Sequence, residues 1–235
     1  MHPHLDKACA DAWQAQHTRP LGSWRLRASG GYTGRANSAW VNGDPGVPVA
    51  EALSQVEGFA AAHGIRPYAQ VVVGSRWEAE LARAGWAVNL AHPRGAESAV
   101  MHNSPGHGAP TAEVADSPST EWWTVALGAA PSPAAHHVVT TGSRVGFASA
   151  HRDGVLVGTA RGCVVDDWLH LSMVEVLPTH RRQGIALELL SALDHWARGV
   201  RGRVLQVAVH NSPALTLYTH QGYRESHRYR YWMPT

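Results

Sequence analysis

In the second half of the chain, apolar and polar residues follow the two patterns typical of strands and helices. Three strand-like runs, of which the second is rich in β-branched residues, are separated by short turn sequences such as Arg152-Asp153-Gly154, which predicts an antiparallel meander. A stretch with apolar residues at helical spacing follows, then a strand, a helix that begins at Ser212-Pro213, and a last strand. The predicted order is β-β-β-α-β-α-β, with strands at 144–150, 155–165, 168–176, 203–209 and 223–232 and helices at 184–198 and 212–221.

The first half repeats this order more faintly, with strands at 24–29, 35–41 and 67–73 and helices at 49–62 and 77–84. An offset of about 137 residues places Gly85-Trp86 on Gly222-Tyr223. This favours an internal duplication over two unrelated α/β halves. The polar, proline- and glycine-marked stretch 103–120 predicts a linker between domains at 1–102 and 121–235, and a second irregular patch lies at 129–135.

Composition narrows the class of protein. The 235 residues are 44% hydrophobic, which is enough to build a core, and the net charge of +2 gives no stripe that would bind nucleic acid. No apolar run approaches the roughly 18–20 residues that cross a bilayer, and the N-terminus lacks the apolar stretch of a secretory signal. We therefore expect no membrane partner. Cys9 and Cys163 fit no metal-ligand spacing, so we expect no metal and a reduced, cytoplasmic setting. Arginine in place of lysine, with abundant alanine and glycine, favours a bacterial genome rich in GC.

A candidate anion-binding site lies at 176–186, where a strand end leads into a helix start. Backbone N–H groups at a helix N-terminus are unpaired and point outward beside the positive end of the helix dipole. Gly184 and Ala186 keep the approach open, and Arg181 and Arg182 add positive charge. These features are typical of a pyrophosphate-binding loop.

The same segment resembles the cofactor loop of the GNAT superfamily of acyl-CoA-dependent N-acetyltransferases. The loop motif (Gln/Arg)-x-x-Gly-x-(Gly/Ala) matches 181–186 (RRQGIA), and a second motif matches from Asn211 to Tyr218, followed by Gly222-Tyr223. The resemblance covers residues 144–231, nearly the whole second half. It implies an α/β (α+β) fold of two GNAT-like domains, each with a mixed, mostly antiparallel sheet flanked by helices, of which the N-terminal copy is degenerate.

The resemblance also implies acetyl-CoA as co-substrate. Residues 182–187 would hold its pyrophosphate, and the strand that ends at Val174-Glu175-Val176 would pair with its pantetheine arm in a slot against residues 207–209. Asn211 would either bind the pantetheine or cap the helix. The implied coenzyme contacts are Val174, Val176, Arg181, Arg182, Gln183, Gly184, Ile185, Ala186, Leu187, Asn211, Ala214 and Tyr218.

Three catalytic roles follow from the same resemblance. The amide of Val174 would polarise the thioester carbonyl, and Tyr218 would protonate the departing thiolate. His170 lies where other family members place a glutamate or histidine base, and its ordinary pKa suits proton removal at neutral pH. Glu175 is the rival base: regular alternation puts it on the opposite face from His170, whereas a bulge would reverse that.

The first half lacks these residues. At the offset of 137, Asp44 replaces Arg181, Pro45 replaces Arg182, Val47 replaces Gly184 and Leu81 replaces Tyr218. We therefore expect one active site that moves an acetyl group from acetyl-CoA to a primary amine by direct attack, with a small-molecule amine as acceptor. The alternatives are a non-catalytic acyl-CoA sensor or scaffold and a transferase acting on protein lysines or N-termini.

Overall fold

Twelve strands and seven α-helices form the computed structural model, which describes residues 3–92 and 95–235. The helices are α1 (Pro3–Asp11), α2 (Val49–Ala62), α3 (Arg76–Arg83), α4 (Thr120–Leu127), α5 (Pro133–Thr140), α6 (Ile185–Trp196) and α7 (Ser212–His220). The strands are β1 (His17–Leu21), β2 (Trp24–Ala28), β3 (Ala39–Trp40), β4 (Ala69–Val72), β5 (Trp86–Val88), β6 (Glu97–Asn103), β7 (Glu113–Ala115), β8 (Val145–Arg152), β9 (Val155–Val165), β10 (Trp168–Val176), β11 (Gly202–Ala208) and β12 (Arg224–Pro234). Within these described ranges, no helix is long and apolar enough to cross a membrane.

All twelve strands belong to one continuous sheet. Its order is β1-β2-β3-β4-β12-β6-β11-β10-β9-β8-β7, and β5 pairs with β12 beyond the end of β6. The neighbours run antiparallel, except that β3 is parallel to β4 and β10 is parallel to β11. The fold is therefore a mixed α/β fold with a mostly antiparallel sheet, as the sequence predicts.

The predicted element order of the second half is confirmed. Strands β8, β9 and β10 form the meander, followed by α6, β11, α7 and β12. Asp153 and Gly154 both have positive φ, at 50° and 77°, as the two central residues of a tight hairpin turn require. Periodicity and turn chemistry agree in this half, which explains why the prediction succeeds.

The prediction of a strand at 35–41 is wrong in extent. Only Ala39–Trp40 is extended, and a 3₁₀ turn at Gly34–Ala36 precedes it. The Asn37 side chain accepts hydrogen bonds from the amides of Ser29 and Gly31 and donates to the carbonyl of Thr33. A polar side chain that satisfies nearby backbone groups in this way competes with strand pairing.

Segment 103–120, predicted as a linker, is fastened to the second half. It contains β7, which pairs with β8, and the Thr111 hydroxyl donates to the carbonyl of Glu188 on α6. The irregular patch predicted at 129–135 ends in α5, whose N-cap Ser132 accepts from the Ala135 amide with Pro133 at the first helical position. Serine followed by proline is a helix start signal, so this helix could have been predicted.

The two halves exchange strands. Strand β6 lies in the first half of the sequence but is inserted between β11 and β12. In return, the end of β12 lies between β4 and β5 of the first half. The predicted boundary at residue 102 therefore falls inside a strand that completes the sheet of the second half.

Helix α6 lies close against β9 because that strand carries glycine beneath it. A Cβ atom on Gly158 would lie 2.7 Å from Cγ2 of Ile185, and one on Gly162 would lie 3.0 Å from Cδ2 of Leu193. Ile185 and Leu193 are both buried in this interface. The close packing fixes the N-terminus of α6 beside the end of β10.

Candidate active site

The first feature of the site is the N-terminus of α6. Its N-cap Gly184 has φ +79°, Arg182 has φ +63°, and no side chain caps the helix. The first backbone hydrogen bond at this end runs from the Glu188 amide to the Gly184 carbonyl. In the described part of the chain, no protein acceptor meets the backbone amides of residues 182–187. Successive amides in such a turn form a concave anion-binding nest.

Access to this nest is open. A Cβ atom built on Gly184 would meet nothing within 4 Å, and Arg181, Arg182 and Gln183 are exposed. The Arg181 guanidinium is held in place because its Nε donates to the carbonyl of Val176 at 3.1 Å. The structure thus brings the predicted coenzyme residues 181–187 together around free amides and two positive charges. Ile185 is the exception, since its side chain points into the core.

The second feature is a slot between two parallel strands. Strands β10 and β11 pair from Trp168–Gly202 to Leu171–Leu205 and then part. A bulge between Ser172 and Glu175 bends β10 away at this point, with Met173 at φ +53°. Val174 and Val176 lie past the fork on β10, Val207 lies on β11, and Val209 follows directly after β11. The predicted splay of these two strands is confirmed.

Tyr218 lies on α7 beside this slot. Its side chain is 7% exposed, and burial together with the nearby Glu175 carboxylate raises its pKa to about 12. The ring packs edge-on against Tyr223 at 5.5 Å between centroids. A phenol with a raised pKa keeps its proton at neutral pH and can donate it to a stronger base.

His170 is placed differently from the prediction. The ring is 1% exposed, and Trp13 covers it edge-on at 5.8 Å between centroids. Burial, with the Arg161 and Arg35 charges added, lowers the pKa of His170 to about 3. A buried ring with this pKa cannot serve as a base for an amine at neutral pH, so we correct the assignment of His170.

Glu175, and not His170, lies at the mouth of the slot beside Tyr218. Ser172 is opposite Arg161 and Glu175 is opposite Thr159 on β9, so the bulge puts all of these side chains on the face of His170. Glu175 is exposed at the mouth of the slot, and its charge acts on Tyr218. The structure therefore brings the rival base, and not the first-choice base, beside the predicted acid.

Asn211 is the N-cap residue of α7. The Asn211 side-chain oxygen accepts from the Ala214 amide at 3.3 Å and caps α7. This is the capping role that the sequence left open. The Asn211 side chain is exposed at the end of β11.

Two arginines, Arg161 and Arg35, lie at the fork of the slot. The Arg161 guanidinium approaches the Ser172 hydroxyl at 3.5 Å, and that of Arg35 donates to the Gln206 carbonyl at 3.4 Å. Arg161 is fully buried in the middle of an otherwise apolar strand. A single arginine within an apolar strand is a signal that sequence analysis can use, because burying a charge is costly unless it is compensated. Arg35 belongs to the polar, glycine-rich stretch 29–38, for which the sequence leaves two interpretations open: substrate contacts or a flexible hairpin.

No group of three histidine, cysteine, aspartate or glutamate side chains in residues 3–92 and 95–235 is arranged to hold a metal ion. The chemistry-bearing groups that converge on the slot are instead amides, a phenol and a carboxylate. These groups can bind an anion, donate a proton and accept one.

The chain matches, over residues 3–232, the family described as "Probable histone acetyltransferase Rv0428c C-terminal". No curated protein matches it. A GCN5-related N-acetyltransferase from Kribbella flavida superposes with a TM-score of 0.70 at 18% identity, covering 97% of this chain and 93% of that chain. A GCN5-related N-acetyltransferase from Sphaerobacter thermophilus gives 0.57 at 20% identity over 83% and 71%. A tandem GNAT protein from the clavulanic acid biosynthesis pathway gives 0.58 at 17% identity over 83% and 74%.

At these identities the structural matches show the fold, which is the GNAT fold, while the family match spans nearly the whole sequence. The chain therefore belongs to this acetyltransferase family, and its fold is that of the GNAT N-acetyltransferases.

Proposed function

We propose that the protein transfers an acetyl group from acetyl-CoA to a primary amine by direct attack, without a covalent enzyme intermediate. The observation that supports this most is the set of free amides at 182–187 lying at the open end of the β10–β11 slot. A diphosphate needs such donors, and an extended amide-bearing arm needs an unpaired strand edge.

Each residue has a role that its position supports. The tip of α6 binds the diphosphate, and β10 past its bulge offers backbone groups to the pantetheine arm. The Val174 amide polarises the thioester carbonyl; a donor aimed at a developing oxyanion lowers a barrier by about 3–4 kcal/mol. Glu175 removes a proton from the incoming ammonium, directly or through water, and Tyr218 protonates the departing thiolate.

We also propose that the first half is a degenerate copy that no longer binds acyl-CoA. Shifted by 137 residues, α2 and α3 begin one residue after α6 and α7. The loop before α2 is closed, however. The Asp44 carbonyl accepts from the Ser23 amide, Pro45 is buried against Gly22, and the N-cap of α2 is Pro48. Prolines donate no hydrogen bond, and an aspartate repels a phosphate.

The experiment is a thiol-release assay with acetyl-CoA and a panel of amines: amino acids, polyamines, aminoglycosides, peptides with a free N-terminus, and lysine-rich histone-tail peptides. Acceptor-dependent release, with the acetylated amine identified by mass spectrometry, is the expected result. Binding of acetyl-CoA with no release for any amine contradicts the proposal and favours a sensor. The histone peptides are included because the family description names a histone acetyltransferase. Release with these peptides alone favours a protein acceptor.

A further inference from the structure

Two buried or partly buried arginines flank the point where β10 and β11 part. Arg161 reaches Ser172 on β10, and Arg35 reaches the carbonyl of Gln206, the first residue of β11 beyond the last pair. Both lie on the face of the sheet that packs against α1, opposite α6; we call this the α1 face. The N-terminus of α6, where we place the coenzyme, is on the other side of the sheet.

The indole ring of Trp13 packs against both guanidinium groups. The guanidinium carbons of Arg35 and Arg161 lie 5.5 and 5.3 Å from the ring centroid of Trp13, and the same ring covers His170. The cluster is built from both halves of the sequence, because Trp13 and Arg35 come from the first half. A face of an aromatic ring attracts a cation, but it does not neutralise it.

Neither arginine is neutralised by an acid. No ion pair joins Arg35 or Arg161 to a carboxylate in the residues that the structure describes. Arg161 donates to the backbone carbonyls of Ala12, Val139 and Thr141. The titratable neighbours of Arg35 include Cys9, Tyr231, His170 and Tyr229, and the Tyr229 side chain interacts with it directly. Burial raises the pKa of Cys9 and of Tyr231, so neither supplies a negative charge at neutral pH.

Two donors at the same place have no protein partner. Trp13 Nε1 and Arg35 Nε are buried without a hydrogen bond among the described residues, as are two neutral acceptors, Gln206 Oε1 and the Tyr229 hydroxyl. Arg161 donates to backbone carbonyls of the surrounding fold, whereas partly exposed Arg35 makes one long bond through Nη2 to a carbonyl and has the Tyr229 hydroxyl beside it. Buried polar groups are normally satisfied, and uncompensated buried cations are rarer still. Arg35 therefore has neutral neighbours but no acidic partner among the described residues.

This inference rests on the proposed function. We propose that the acceptor of this transferase is a primary amine that also carries a carboxylate, and that Arg35 binds this carboxylate at the α1 face of the slot. Glu175, exposed at the slot mouth, receives the ammonium end, so the site is complementary to a zwitterion. The guanidinium fork offers two parallel donors to a carboxylate, which a single ammonium would not. Polycationic acceptors meet repulsion from the same charge.

The test compares amino acids with their amides in the thiol-release assay: alanine, tyrosine and lysine against alaninamide, tyrosinamide and lysinamide. Each pair has the same α-amine, and the amide is the less basic one, which favours its reaction and biases the assay against the proposal. For the pairs that react, we expect kcat/KM to favour the acid at least tenfold, roughly the value of one charge-assisted hydrogen bond. Equal rates for acid and amide, or a preference for polyamines, overturn the proposal.

The variants assign this preference to Arg35. Arg35→Gln should abolish the preference by raising KM for the acid, with the amide and acetyl-CoA unaffected. Arg35→Lys should restore part of it, because it keeps the charge and loses the fork. Arg19→Gln is the matched control, since Arg19 is an exposed arginine of the same half that lies over Phe59. An equal loss with acid and amide in Arg35→Gln means that Arg35 is structural, and contradicts the proposal.

A readout without turnover separates this proposal from the proposed function. Calorimetry of the CoA-loaded protein with N-acetyltyrosine and with its amide measures recognition of the carboxylate alone. Binding of the acid that is lost in Arg35→Gln supports the anion site even if no amine is acetylated, in which case only the proposed function fails. Equal binding of both forms, or binding of neither, overturns the anion site.

Discussion

The N-cap of α6 offers the sharpest test of the coenzyme site, through the variant Gly184→Asp. A Cβ atom at this position meets nothing within 4 Å, so an aspartate fits without a steric clash. Its carboxylate would lie in the nest that we assign to the diphosphate. Two like charges about 4 Å apart repel by about 4 kcal/mol at the effective dielectric of a protein surface. This predicts a loss of CoA affinity of roughly a thousandfold, and at least about a hundredfold once salt screening is allowed for.

Backbone strain is the competing explanation, and the chain offers a matched control for it. Gly154 in the β8–β9 turn has φ +77°, against +79° for Gly184, and its Cβ would also meet nothing within 4 Å. Both substitutions to aspartate should cost about 1–2 kcal/mol of unfolding free energy from the left-handed backbone. Only Gly184→Asp should weaken CoA binding in calorimetry. Equal affinities for the two variants would refute the placement of the diphosphate at this helix.

Three further predictions concern the residues around the slot. Tyr218→Phe should lower kcat at least about tenfold and leave the Kd of acetyl-CoA unchanged, since only proton donation to the thiolate is removed; an unchanged kcat would reduce Tyr218 to a packing role. Glu175→Gln should lower kcat/KM for the amine at pH 7 and recover activity as pH rises, because free amine then forms without a base; a pH profile parallel to that of the wild type would contradict this. His170 binds its proton in the unfolded state with an ordinary pKa near 6.5 but in the folded state only near pH 3. Stability is therefore lost as pH falls below 6.5, and urea unfolding at pH 7 and pH 5 should show the wild type losing about 2 kcal/mol more than His170→Gln. Equal pH slopes would mean that the ring titrates normally.

The coenzyme side of the site could be predicted because its signals are local. Glycine at the N-cap, arginines before it and apolar residues at helical spacing after it lie within one short segment, and α6 forms where they predict. Hairpin turn residues such as Asp153-Gly154 set the meander in the same way. The physical cause and the sequence signal are here the same few residues.

The acceptor side could not be predicted, because its causes are distant in sequence. The alternation of β10 correctly put His170 on one face, but its burial depends on Trp13, which lies far away in the chain. Glu175, rather than His170, lies in position to act as the base because β10 has a bulge at Met173. Methionine has no particular preference for positive φ, so the sequence does not predict this bulge. The sequence predicts Arg35 as part of a strand. In the structure it lies in a 3₁₀ turn held by Asn37, from which its side chain reaches β11.

The strand exchange gives a physical reason why the first half persists beside the catalytic one. Without β6, the second half would expose the edge of β11, and without the end of β12 the first half would lose the strand between β4 and β5. An exposed hydrophobic strand edge is a site of aggregation, so we expect either half to aggregate in isolation. The exchange also fixes the Gly34–Ala36 turn over the sheet, because a Cβ atom on Gly34 would lie 2.6 Å from the ring of Tyr231 on β12. The strand that joins the halves thus holds Arg35 at the fork, and in the function that we propose the first half supplies a wall to the site of the second half.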